Sequence, residues 1–217
     1  MQLVIGNKAY SSWSLRPWLL LKQFGIDFEE VLVPLYQADT AARLAPLSPS
    51  GKVPCLIDGD VTVWDSLAIA EYLAERFADL PIWPVDRKAR AFARSICAEM
   101  HAGFGALRQH YTCNFRRTYA WKERGGAAAL ADGARIIAIW QEARSRFGSD
   151  GPFLFGAFSA ADAMYAPVVA RFTTYSWPLP DVAAAYARTI RDLPAYQDWL
   201  AAGATEPWFI ADYEYAD

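Results

Sequence analysis

Apolar residues along the first eighty positions come in short runs separated by helix-length patterns. Leu3–Gly6 reads as a strand, and Ser14–Phe24 as a helix ended by Gly25. Phe28–Pro34 is a second strand, followed by a polar helix or loop over Ala38–Leu47. Val53–Ile57 and Val61–Trp64 are two short strands joined by Asp58-Gly59-Asp60, a hairpin signal. Ser66–Phe77 places Leu67, Ile69, Ala70 and Leu73 at helical spacing. The order β-α-β-α-β-β-α combines a parallel crossover with an antiparallel hairpin, so the sheet is expected to be mixed.

Leu80-Pro81-Ile82-Trp83-Pro84 breaks this pattern, because two prolines three apart stop helices on either side. The boundaries expected are a first domain over 1–80, a linker over 81–86 and an all-helical domain over 87–217. Asp86 caps a long helix predicted to run to about His110, with further helices over Gly126–Phe147, Ser159–Tyr175, Asp181–Arg191 and Pro194–Ala202. Ser159 and Asp162 have capping-box spacing, a folding signal rather than a site.

Composition narrows the function classes. The apolar share of 54% and charged share of 21% are those of a globular chain. The net charge of -3 divides into -4 over residues 1–80 and +1 over the rest, too little positive charge for nucleic-acid binding. Arg87, Lys88, Arg90 and Arg94, and Arg116, Arg117, Lys122 and Arg124, are read as solvated helix faces. No run is long and apolar enough to cross a membrane. The chain opens on a strand pattern without a leader-like segment, and Cys55, Cys97 and Cys113 suit neither a disulfide framework nor a zinc ribbon. A cytoplasmic, reducing location is therefore expected. His101 and His110 lie nine apart, on opposite faces of one helix, and make no metal pair.

The most informative segment is Ser11-Ser12-Trp13-Ser14, between the first strand and the first helix. Hydroxyls at a helix start, with its orphan amides and macrodipole, suit an anion. Plain capping by Ser11 or Ser12 is the other reading.

Four motifs then occur in order: Ser11-Ser12-Trp13-Ser14-Leu15-Arg16, Gly51-Lys52-Val53-Pro54 entering a strand, Asp65-Ser66 opening a helix, and Ser159-Ala160-Ala161-Asp162. Together they resemble the glutathione S-transferase family of the serine type, closest to the zeta class, whose Ser-Ser-Cys-Ser-x-Arg turn carries Cys where this chain has Trp13. The resemblance implies an α/β thioredoxin-like N-terminal domain with a mixed four-stranded sheet, followed by an all-α helical domain. It also implies a cytoplasmic homodimer for detoxification that takes glutathione and a small electrophile, without a metal.

Residue by residue, it makes Ser11 the thiolate's hydroxyl donor with Ser12 in reserve. It gives Lys52 to the glycyl carboxylate, Val53 with Pro54, at the family's cis-proline position, to the cysteinyl backbone, and Asp65 and Ser66 to the γ-glutamyl end. An acceptor site between the domains is expected to be lined by Tyr10, Trp13, Phe104, Arg108, Tyr111 and Tyr165. Trp13 argues against zeta-type isomerisation. A glutathione-dependent isomerase or peroxidase, and a non-catalytic binding protein of the same fold, are the alternative readings.

Overall fold

The computed structural model describes residues 1–215. Its sheet is built from β1 (Gln2–Ile5), β2 (Glu29–Leu32), β3 (Cys55–Asp58) and β4 (Val61–Trp64), in the order β2-β1-β3-β4. The β1 strand runs parallel to β2 and antiparallel to β3, and β3 pairs antiparallel with β4. The sheet is thus mixed, as the crossover-then-hairpin order requires. Pro54 cannot donate to a ladder, and the β3 ladder begins only at Cys55.

Helix α1 (Ser12–Gln23) follows β1, and the short α2 (Thr40–Leu44) lies within the 38–47 segment. Helix α3 (Ser66–Arg76) closes the N-terminal unit. The rest is helical: α4 (Arg87–Ala102), α5 (Gly105–His110), α6 (Gly126–Phe147), α7 (Ala160–Thr174), α8 (Asp181–Arg191) and α9 (Pro194–Thr205). No helix among the described residues is long and apolar enough to cross a membrane.

Two helices join the halves. Every residue of α1 from Ser14 to Leu21 is buried, and α7 is buried along nearly its whole length. Such helices, apolar on all sides, belong to an interior. They pack on each other, so the helix that starts at the serine turn is clamped by the helical half. A capping box starts α7: the Ser159 backbone N–H donates to Asp162 Oδ2 at 2.9 Å, and the Leu154 N–H donates to Oδ1 at 3.1 Å.

Two expectations need correction. The helix predicted to reach His110 stops at Ala102, with Gly103 at its end and Phe104 at φ 62, before α5 resumes. A Cβ at Gly103 would lie 2.8 Å from the Glu99 carbonyl oxygen, so the break requires glycine there. Arg116 and Arg117 lie on no helix face. Residues 111–125 form a connection, and Arg116 donates to the carbonyls of Gly203, Trp208 and Glu206 while Arg117 pairs with Glu214 at 2.7 Å. These bonds tie the segment after α9 to that connection, while the Glu206 carboxylate accepts from the Lys8 and Ala9 backbone N–H groups of the N-terminal unit.

Candidate functional site

Ser11 caps α1. Its hydroxyl accepts from the Ser14 N–H at 3.3 Å and donates to the Ser14 hydroxyl at 2.8 Å, while the N–H of Gly6, the residue after β1, donates to the Ser14 hydroxyl. Strand end and helix start are thereby fixed to each other. No hydrogen bond among the described residues engages the Ser12 hydroxyl or the Trp13 backbone N–H. Both belong to the first turn of α1, which contains no acidic residue. A free hydroxyl, a free amide and an uncompensated helix N-terminus make this turn an acceptor of negative charge.

Two cavities meet at the turn. The first, of about 610 Å³, lies between the halves, and Tyr10, Ser11, Ser12, Trp13, Lys52, Val53 and Arg108 all line it. The second, of about 460 Å³, is lined by Trp13, Lys52, Val53, Pro54, Asp65, Ser66 and His101, among others. Trp13, Lys52 and Val53 belong to both and form the ridge between them. The Val53-Pro54 peptide is cis, and Val53 precedes the β3 ladder, so its N–H and C=O meet no strand partner.

Asp65 caps α3, accepting from the Leu67 N–H at 3.1 Å. Its backbone lies at φ 77, a region that costs a non-glycine residue about 1–3 kcal/mol and clusters at functional sites. Capping and ligand contact are compatible, since a carboxylate oxygen accepts more than one hydrogen bond. Ser66 is buried and accepts from an Arg16 guanidinium N–H at 3.4 Å.

Arg16 is almost fully buried, and among the described residues it has no carboxylate partner and its Nε and one terminal nitrogen make no hydrogen bond. Burial, with Arg108 and Arg171 nearby, pushes it down to about 9, which still leaves it charged at neutral pH. Its guanidinium stacks on Trp13 at 4.1 Å, and that of Arg108 lies 4.7 Å from the same ring. Burial and Arg171 push Arg108 down to about 10. The face of the indole attracts both cations.

Three expected acceptor residues belong elsewhere. Phe104 is core, Tyr111 is fully buried with its hydroxyl accepting from the Arg124 N–H, and the Tyr165 hydroxyl donates to the Ile96 carbonyl at 3.0 Å. None of the three lines either cavity. Conversely, sequence reasoning missed Arg171, Ile210 and Tyr213 in the first cavity and His101 in the second. Arg171 did leave a signal, as a cation inside the otherwise apolar run of α7. Among the described residues no group of three His, Cys, Asp or Glu side chains is placed to hold a metal.

Residues 10–76 match the model of the glutathione S-transferase N-terminal domain, and residues 119–202 match that of its C-terminal domain. Over 205 residues the chain is 28% identical to glutathione S-transferase Z1 of Arabidopsis thaliana, covering 89% of this chain and 90% of the relative. Shorter stretches resemble glutathione S-transferase 1 of Dianthus caryophyllus (39% over 92 residues) and a probable maleylacetoacetate isomerase of Caenorhabditis elegans (38% over 97 residues). These stretches cover 42% and 44% of this chain and span only 41% and 44% of those two relatives. Among solved structures, a sphingomonad glutathione S-transferase complexed with glutathione superposes with a TM-score of 0.63 at 25% identity, over 95% of this chain and all of that one.

Proposed function

This chain belongs to the glutathione S-transferase family, and on that footing we propose that it binds glutathione across its two cavities and transfers the thiolate to a small electrophile in the first. The observation that carries the reading is the junction of both cavities at the start of α1, where the Ser12 hydroxyl and the Trp13 amide have no hydrogen-bond partner among the described residues. Asp65 and Ser66 receive the γ-glutamyl end in the second cavity. Val53 pairs with the cysteinyl backbone, and Lys52 meets the glycyl carboxylate.

The sulfur then lies against Ser11 and Ser12. A thiol of pKa ~8.5 is mostly protonated at neutral pH, and each unit of lowering requires about 1.4 kcal/mol of preference for the thiolate. A hydrogen bond to a charged group contributes roughly 1.5–3 kcal/mol and the helix dipole about 0.3–1, enough for one to two units. Ser12 donates without rearrangement. Ser11 donates by turning its proton from the Ser14 hydroxyl to the thiolate, a stronger acceptor. Nothing in this scheme requires a metal or a general base.

A second reading, glutathione-dependent isomerisation, is favoured by one observation. The first cavity carries Lys52, Arg108 and Arg171 and no carboxylate among its lining residues, which suits an anionic substrate such as a dicarboxylic acid. Trp13 in place of a cysteine stands against it. Retention on immobilised glutathione, followed by assays of chloronitroarene conjugation and maleylacetoacetate isomerisation, tests both. Passage through the column unretained would sink the glutathione reading altogether.

A further inference from the structure

Both oxygens of Asp65 are held, from opposite halves of the molecule. Oδ1 accepts from the Leu67 N–H of its own helix. Oδ2 lies 3.1 Å from Nε2 of His101, in the last turn of α4. Capping α3 uses one oxygen and explains neither the second donor nor the strained backbone at Asp65. His101 also lines the second cavity, with its ring edge-on to Trp13 at 5.2 Å. Its Nδ1 is buried without a hydrogen-bond partner, so the 3.1 Å approach of Nε2 to Asp65 is the ring's closest polar contact among the described residues. An imidazole placed to hold the fold together would be expected to satisfy both nitrogens.

We propose that His101 is a positioning residue for glutathione. Its imidazole, with Nε2 3.1 Å from Oδ2, holds the Asp65 carboxylate in the rotamer that faces the cavity, where the α-ammonium of the γ-glutamyl end is received. A carboxylate oxygen accepts more than one hydrogen bond, so the imidazole orients the group without displacing the ammonium. Because His101 comes from the helical half, that half takes part in holding glutathione as well as the acceptor. This inference rests on the glutathione reading above.

The test is calorimetric titration of the wild type, His101→Leu and His101→Gln. The ligands are glutathione and its analogue with hydrogen in place of the α-ammonium, with thermal unfolding run alongside. Loss of the polar contact that orients a charged group is expected to weaken glutathione roughly tenfold in His101→Leu. Glutamine, whose amide N–H reaches the position of Nε2, is expected to restore most of that loss. The analogue should bind the wild type and His101→Leu alike, since it lacks the group that Asp65 receives. Equal weakening of both ligands in His101→Leu would mean a structural role and overturn the proposal, as would no weakening of either. A wild type that binds no glutathione would instead remove the functional reading, and this inference with it.

Discussion

The hydroxyl of Ser11 donates to that of Ser14 at 2.8 Å, which commits the proton of one member of the serine pair and leaves that of Ser12 free. The two residues are therefore separable by experiment. Ser11→Ala removes the cap of α1 and is expected to cost about 1 kcal/mol of stability as well as activity. Ser12→Ala leaves the cap intact, so kcat/KM for conjugation should fall about tenfold or more with an unchanged Tm. Full activity in both variants would contradict thiolate activation by serine.

Arg16 predicts a trade of stability against activity. A buried guanidinium without a carboxylate partner is a net cost to the fold, and an apolar side chain of similar volume at such a place is often neutral or stabilising by about 1–4 kcal/mol. Arg16 is also four residues beyond Ser12 on α1, hence on the same face as the thiolate donor. Arg16→Met is expected to keep or raise Tm while raising the pKa of bound glutathione by about one unit. The ultraviolet absorbance of the thiolate, titrated against pH, reads the second effect. An unchanged thiol titration would show that the charge does not reach the sulfur.

How far the sequence discloses this molecule depends on how local each signal is. The strands and the serine turn were legible because Leu3–Gly6, Asp58-Gly59-Asp60 and Ser11–Ser14 carry their own periodicity and turn chemistry. Asp65 and Ser66 were legible as a helix start, and the structure adds the strained φ and the grip of His101. Tyr111 and Tyr165 misled for the opposite reason. An aromatic side chain serves a core or a cleft equally well, and only packing decides. Tyr213 could not be read at all, because its place in the first cavity depends on Arg116 and Asn114 folding the segment after α9 back across the molecule.

That segment predicts control of acceptor size. The Tyr213 hydroxyl lies 3.3 Å from that of Tyr36, which is exposed on the loop after β2, and both rings line the first cavity. The pair bridges the N-terminal unit and the returning segment. Tyr213→Ala should lower KM for bulky arene acceptors several-fold relative to small ones, with KM for glutathione unchanged. Tyr213→Phe keeps the ring and should keep the size preference, with a change in stability within about 0.5 kcal/mol. Kinetics on a graded series of chloronitroarenes checks this, and a uniform change across the series would argue against a steric role.

Asp162 predicts a pH dependence of stability. Its burial raises the carboxyl from 3.8 to about 6, against the opposing effect of hydrogen bonds from the Leu154 and Ser159 backbone. A carboxyl that ionises later in the folded chain than in the unfolded one holds its proton more tightly when folded. Its contribution therefore favours the fold fully below pH 3.8 and is lost as the pH rises through about 6. Asp162→Asn removes the titration but keeps the shape. The stability advantage of the wild type over this variant should then shrink by about 2–3 kcal/mol from about pH 4 to about pH 7. Urea unfolding of both proteins across that interval measures the gap. If the gap widens toward neutral pH, the two backbone donors outweigh burial, and Asp162 stabilises the helical half as a carboxylate.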